Sequence, residues 1–489
     1  MTMQLSDASA PAVRRLGVAA LALALAGTAT LLTGGLSATG RAFPAPTPPA
    51  TCGKGDLPET DVQGRVPQAD YDSGRAAKGY RCNTRAVGHQ GRTGGFKVLR
   101  YTDTRGHTCA YYDSTRFFPT DVPFQASSGF GVIVLDMARP RQPTVATTLT
   151  SPTMQSPHES LLVNEKRGLL AAVMGNAYTS AGILEVYDLS ADCRAPKLLS
   201  RTPEAILGHE SGWSRDGKTF YAASSGGQTF VAIDLTDPTS PKRLFQQRGV
   251  NYHGMRLSND GRTMYVANIG NDLSGGTLPG EGLRILDVSE IQDRDPDPEV
   301  TVLSDLTWPE GSIPQVAQPF TRGGRHYLLE VDEFSRYGLN GGSPDAAHAQ
   351  VGAARIIDVE DPRHPKVVSH LRLQVQQPAE RIAARNDPGA SSPLGGYTAH
   401  YCSAPRRKNP RLVACSMIGS GLRVFDIRKL RRPVEAAYFN QPSTSGSKGA
   451  SAMAQPAWDV KRRSIWYADG NSGFHVVRLT HGVGRLLRR

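Results

Sequence analysis

One motif recurs along this chain and limits its fold more than any other feature: a glycine, a run of β-branched and aliphatic residues, and a closing aspartate. It reads Gly131-Val-Ile-Val-Leu-Asp136, Gly182-Ile-Leu-Glu-Val-Tyr-Asp188, Phe230-Val-Ala-Ile-Asp234, Gly282-Leu-Arg-Ile-Leu-Asp287, Ala354-Arg-Ile-Ile-Asp358 and Gly421-Leu-Arg-Val-Phe-Asp426. A seventh copy, Gly473-Phe-His-Val-Val-Arg478, puts arginine where the aspartate belongs. Runs of this length and composition are strands, because β-branched side chains fit a pleated surface and five or six residues are too few for a buried helix. The closing positions lie 46 to 71 residues apart, room for four short strands with their loops, and the widest spacings coincide with inserts at 334–350 and 374–397.

Two hairpins can be read ahead of the motif. Ser214-Arg-Asp-Gly217 precedes Lys218-Thr-Phe-Tyr-Ala222, and Ser258-Asn-Asp-Gly261 precedes Arg262-Thr-Met-Tyr-Val-Ala267. Asp-Gly suits a tight turn because glycine takes positive φ without a Cβ clash. Each repeat therefore reads as strands A and B in a hairpin, C as the recurring run, and D after a proline-containing turn. A four-stranded sheet cannot bury both faces alone, so such units pack radially into a ring. The expected fold is all-β, a seven-bladed β-propeller of four-stranded antiparallel blades over 88–489, in preference to a stack of sandwich domains. The last D strand is short, so ring closure is expected to borrow a strand from around 85–90.

The C strands continue into Asp-Pro-x-x-Pro turns, as in Ile233-Asp-Leu-Thr-Asp-Pro-Thr-Ser-Pro241 and Ile357-Asp-Val-Glu-Asp-Pro-Arg-His-Pro365. These segments resemble LVIVD repeats, and Tyr265-Val-Ala-Asn268 resembles the YVTN type of propeller repeat. The resemblance implies a secreted bacterial propeller and no single activity, because function on such a fold resides in grafted sites.

Residues 1–42 read as an export signal: Arg14 and Arg15, an apolar run from Leu16 to Leu32, then small residues ending near Ala42. Gly27, Thr28 and Thr30 break the run, which argues for cleavage over a permanent anchor. Pro-Ala-Thr ahead of Cys52 is a poor lipid-attachment sequence. The segment 43–87 reads as a proline-rich linker followed by an irregular, cysteine-pinned stretch. No second long apolar run occurs, so no membrane span is expected after processing, and the mature protein is expected to be secreted or associated with the cell envelope, as a monomer. Six cysteines fit an oxidising compartment. Cys402 and Cys415, on neighbouring strands, form the expected pair, while Cys52, Cys82, Cys109 and Cys193 can pair in three ways.

The formal charge is +12, and +10 without residues 1–42. The basic clusters at 406–411, 428–432 and 485–489 have no interleaved aromatics and no nucleic-acid motif, so the expectation is a solvated face or attraction to anionic polymers, with no nucleic-acid partner.

Aligning the hairpins on their turns superposes His158, His209 and His253 at the start of strand A, and His400 takes the matching place in a later repeat. Repeats one, five and seven break the series, with Val98, Val316 or Gln315, and Ala454 nearest the position. Strand A is innermost in a propeller, so the four imidazoles are expected to meet at one mouth of the central channel. There they could bind Zn, Cu or Fe, with Glu159 and Glu210 accepting from ring N–H groups. In arrangement only, this is similar to the metal centres of carotenoid oxygenases and methanethiol oxidases, whose sequence signatures are absent here. Structural histidines, each bonded within its own blade, are the plainer reading. Glu330-Val-Asp332-Glu333 reads as an exposed acidic turn, with Ca²⁺ binding as the alternative. No nucleophile elbow, phosphate loop or dinucleotide fingerprint is present, and Ser160 and Ser211 cannot form a triad with adjacent residues.

Two functions follow. The first is a scaffold that holds a small-molecule ligand, a protein or an envelope polymer at one channel mouth. The second is a metal-dependent oxidoreductase or hydrolase working at the histidines.

Overall fold

The computed structural model describes residues 43–114, 130–175, 182–224, 228–270, 282–335, 350–390, 396–444 and 449–488; the expected export signal at 1–42 lies outside them. The described chain is a seven-bladed propeller of antiparallel sheets. Blade three has the expected order: strand A Ser211–Trp213, B Thr219–Ser224, C Thr229–Asp234 and D Lys242–Arg248, each paired with the next. The recurring run is strand C in every blade, from Val132–Asp136 in blade one to Gly473–Leu479 in blade seven. A strands of successive blades lie against one another and wall the channel.

Local chemistry explains the motif. The closing aspartate accepts the backbone N–H two residues on, at 2.8–3.0 Å, for Asp136, Asp188, Asp234, Asp287, Asp358 and Asp426. This Asx turn satisfies a donor as the chain leaves strand C. The opening glycine is needed for close approach: a Cβ at Gly131 would lie 2.0 Å from the Leu149 carbonyl oxygen, and at Gly282 2.2 Å from that of Leu306, both on strand D. In the A–B turns, Gly217 and Gly261 have φ of +74° and +78°, the positive values an Asp-Gly turn requires.

The core is divided among the interfaces between blades, one cluster to each neighbouring pair. Between blades three and four it joins Tyr221 and Phe230 to Tyr252, Met264 and Leu286; between seven and one it joins Trp466 and Phe474 to Val98 and Tyr112. Each such side chain contributes about 1.5–3 kcal/mol on burial, so no blade is stable without neighbours.

The ring closes with an N-terminal strand, as expected from the short end of blade seven. Thr84–Gln90 pairs antiparallel with Gly473–Leu479 and serves as strand D of that blade. It begins four residues before the boundary drawn from the sequence. Tyr80–Cys82 adds a fifth strand to blade six, on Val434–Asn440. The preceding segment, expected to be irregular, holds the helix Gln68–Asp72 and a small core of Val66, Tyr71, Ala76, Tyr80 and Tyr438. Buried Arg423 of blade six pairs with Glu435 at 3.1 Å and with Glu59 of this segment.

Cys402 and Cys415 are bonded across strands A and B of blade six, as expected. Cys52–Cys82 ties the N-terminal segment to the added strand, and Cys109–Cys193 links blades one and two. These bonds place the protein in an oxidising, extracellular or periplasmic setting. No helix among the described residues is long and apolar enough to cross a membrane.

Candidate metal centre

Four blades each deliver one histidine to the same mouth. His158 precedes strand A of blade two, Leu162–Asn164; His209 and His400 lie just before strand A of blades three and six, and His253 is the second residue of Tyr252–Leu257 in blade four. Backbone bonds hold two of them, His209 N–H to the Ala223 carbonyl and His400 N–H to that of Ser416. Ring centroids of His158 and His209 are 4.3 Å apart, and those of His209 and His253 are 4.4 Å apart.

Glu159 stands at the centre. Its Oε2 lies 3.2 Å from His209 Nε2, 3.6 Å from His253 Nε2 and 4.0 Å from His158 Nδ1, and its Oε1 lies 3.0 Å from His400 Nε2. Glu333, at the end of strand B of blade five, completes the group at 3.4 Å from His253 Nε2 and 3.0 Å from His400 Nε2. Gln315 Nε2 donates to Glu159 Oε1 at 2.6 Å. The group is almost wholly enclosed: His400 is 0% exposed, Glu159 1% and His253 2%. Among the histidines the His209 side chain, 16% exposed, is the open side.

The backbone fixes the orientation of two of the rings. His253 Nδ1 lies 2.7 Å from the Pro314 carbonyl oxygen and His400 Nδ1 2.7 Å from that of Met453. A carbonyl only accepts, so both Nδ1 atoms carry the proton; His253 Nε2 then meets His209 Nε2 at 2.6 Å with the carboxylates just beyond, and His400 Nε2 faces Glu159 and Glu333. This is how metal-ligating imidazoles are held in place.

The electrostatics divide the cluster. Burial, reinforced by the neighbouring His209, holds His158 well below the usual imidazole range, and burial likewise lowers His253. Burial also opposes charge on His400, but hydrogen bonds to Glu159 and Glu333 outweigh it and push the group up to about 10. Glu159, against its own burial, is held well below the carboxylate range by His209 and His400. Converging imidazoles and anionic carboxylates favour a cation at their focus, and His158, Glu159 and His209, or Glu159, Glu333 and His400, have ligand atoms within 4.8 Å of one another.

The expectation for the two glutamates needs correction. Glu159 meets the imidazoles directly instead of supporting them from behind. Glu210 does not meet them at all: it pairs with buried Lys97, with Arg256 Nη1 at 2.7 Å, and accepts the Tyr401 hydroxyl. The difference is in the backbone. Successive residues of an extended chain point opposite ways, so Glu210 is directed away from the site of His209, whereas His158 has φ +48° and breaks the alternation, bringing Glu159 into the group.

Glu333 escaped detection as a partner of the histidines because it reaches the mouth from strand B. The acidic turn containing it is buried, not exposed: Asp332 receives Arg355 at 2.9 Å through both oxygens, and Glu330 pairs with the same guanidinium. At the blades lacking histidine, Gln315 occupies the position in blade five and Phe96, stacked on His158 at 4.8 Å, fills that of blade one in place of Val98. Ser160 bonds to the carbonyls of Pro157 and Val173, away from any nucleophilic role.

No protein-family model and no curated protein matches the chain. Among solved structures it is similar to hydrazine synthase of Kuenenia stuttgartiensis, with 13% identity and a TM-score of 0.50 over 80% of this chain and 97% of that one. It is also similar to the periplasmic gluconolactonase PpgL of Pseudomonas aeruginosa, with 14% identity and a TM-score of 0.48 over 78% and 91%. The first of these likenesses, at this identity, agrees with the propeller fold alone and leaves the activity to be argued from the site.

Proposed function

We propose that this chain is an exported metalloprotein whose His-Glu cluster holds one divalent transition-metal ion, Zn, Cu or Fe, and that it is an enzyme, an oxidoreductase or hydrolase acting at that channel mouth. The observation that carries this reading is the pair of carbonyl-locked imidazoles, His253 and His400, whose Nε2 atoms lie within 3.6 Å of Glu159 and Glu333. Histidines kept only for blade structure would bond within their own blades; these cross between blades. His209 and Glu159 complete the set, with His158 as a fourth imidazole beside it. Such an ion supplies Lewis acidity or an activated water at neutral pH. The chain's residues orient the rings, offset the cation's charge with Glu159 and Glu333, and leave the His209 side open.

The likeness of the C-strand turns to LVIVD repeats and the apolar run in residues 1–42 support membership of that secreted propeller group. The three disulfides agree with export.

Metal analysis of the purified mature protein after reconstitution tests the reading. One ion per chain is expected, lost in His253→Ala/His400→Ala while the disulfide-intact fold persists by circular dichroism. A folded protein that takes up no stoichiometric Zn, Cu or Fe would leave only the scaffold role.

A further inference from the structure

The channel has a second mouth, where the A strands end and the A–B turns begin. A cavity of about 730 Å³ opens there between blades two and six, floored by Trp213 and Phe320 and edged by Lys166, Arg215, Arg406 and Arg407. Arg256, three residues along strand A from His253 and so about 10 Å further down the channel, also lines it.

The charge here is not balanced by the protein. Arg256 pairs with Glu210, a carboxylate it shares with Lys97. The other four cations form no ion pair among the described residues, and the one carboxylate in the lining is exposed Glu165. Arg215 and Arg407 share a single neutral acceptor, Asn259 Oδ1, at 2.5 and 3.2 Å, and Arg407 also donates to the Leu257 carbonyl at 3.1 Å. Burial, then the charges of Arg215 and Arg256, lower the Arg407 guanidinium to about 10. Two more donors, Arg406 Nε and Trp213 Nε1, are buried without a hydrogen-bond partner. Buried donors are nearly always satisfied, and guanidiniums gathered without carboxylates are what a bound oxyanion resolves. The volume falls within the range of small-molecule pockets.

We propose that this second mouth is a binding site for a small organic polyanion, carrying two or more phosphate or carboxylate groups beside an apolar or planar portion. The oxyanions meet Arg215, Arg406 and Arg407, and the apolar portion lies toward Trp213 and Phe320. The site is independent of the metal centre, being formed by the opposite ends of the A strands.

Calorimetric titration of the mature chain at about 150 mM NaCl, where long-range attraction is screened, provides the test, with pyrophosphate, citrate and uncharged glucose as probes. Pyrophosphate or citrate is expected to bind with Kd below about 1 mM and glucose not to bind; the tighter anion separates a phosphorylated from a carboxylated ligand. Arg215→Gln/Arg407→Gln should weaken binding at least about tenfold, and His253→Ala should leave it unchanged. Should the double variant misfold, Arg215→Gln alone serves, since that side chain is exposed, and should weaken binding severalfold. Failure of both anions to bind, or equal binding by the folded arginine variants and the parent, would overturn the proposal.

Discussion

At the scale of single residues, two adjacent acid-bearing pairs with the same sequence context do different work. Glu159 sits among imidazoles and Glu210 among cations. Glu159→Gln is expected to weaken metal binding by about 10–100-fold, the cost of losing a carboxylate that ligates or orients at such a site, with little change in fold. Glu210→Gln is expected to destabilise by about 3–5 kcal/mol in urea, because it strands Lys97 and Arg256 in the channel wall, while metal content stays at that of the parent. A metal titration and an unfolding curve on each variant separate the roles, and exchanged effects would refute the assignment. The histidines were legible because aligned turns expose a repeated position. The division between the glutamates was not, since it depends on a positive φ at His158 that neighbouring letters do not encode.

Asp113, at the end of strand B in blade one, gives a pH signature. Burial raises its carboxyl to about 7, although it accepts the N–H groups of Phe96 and Lys97 at 2.9 and 3.0 Å. A folded value above the unfolded one means a contribution present below about pH 4 and lost as pH rises through about 7. Relative to Asp113→Asn, the parent should therefore lose stability between those limits, by up to about 4 kcal/mol. Parallel stability curves for the two proteins across that range would contradict the assignment.

At the scale of elements, the repeat was readable because each marker residue acts on its immediate surroundings. The aspartate caps the exit of strand C, and the glycine lets strand D pass close to its start. The insertion of Glu333 from blade five, and the use of Phe96 in blade one, are products of packing between blades and left no periodic trace. Closure was anticipated from a deficit, the short final D strand of blade seven, and Thr84–Gln90 takes its place. Deleting residues 43–90 should therefore leave an open three-stranded edge, and the product should fail to give a cooperative thermal transition. A soluble deletion protein melting as the parent does would show that closure contributes little. Reduction of Cys52–Cys82 should act more mildly, since the pairing of Thr84–Gln90 with Gly473–Leu479 remains.

At the scale of the molecule, the channel is layered: histidines and carboxylates at one mouth, the Lys97–Glu210–Arg256 ion pairs with Tyr401 across the middle, and arginines without carboxylate partners at the other. The middle layer divides the two mouths, so a ligand at one is not expected to pass to the other. Metal binding to the folded ring alone should raise its melting temperature with ion concentration, through the usual linkage of RT ln(1 + [L]/Kd). X-ray absorption spectroscopy of the protein reconstituted with one equivalent of metal tests the central claim most directly. The account predicts three or four imidazole nitrogens and a carboxylate oxygen at about 2.0–2.2 Å from the ion; an ion surrounded by water alone, or no bound ion, would contradict it.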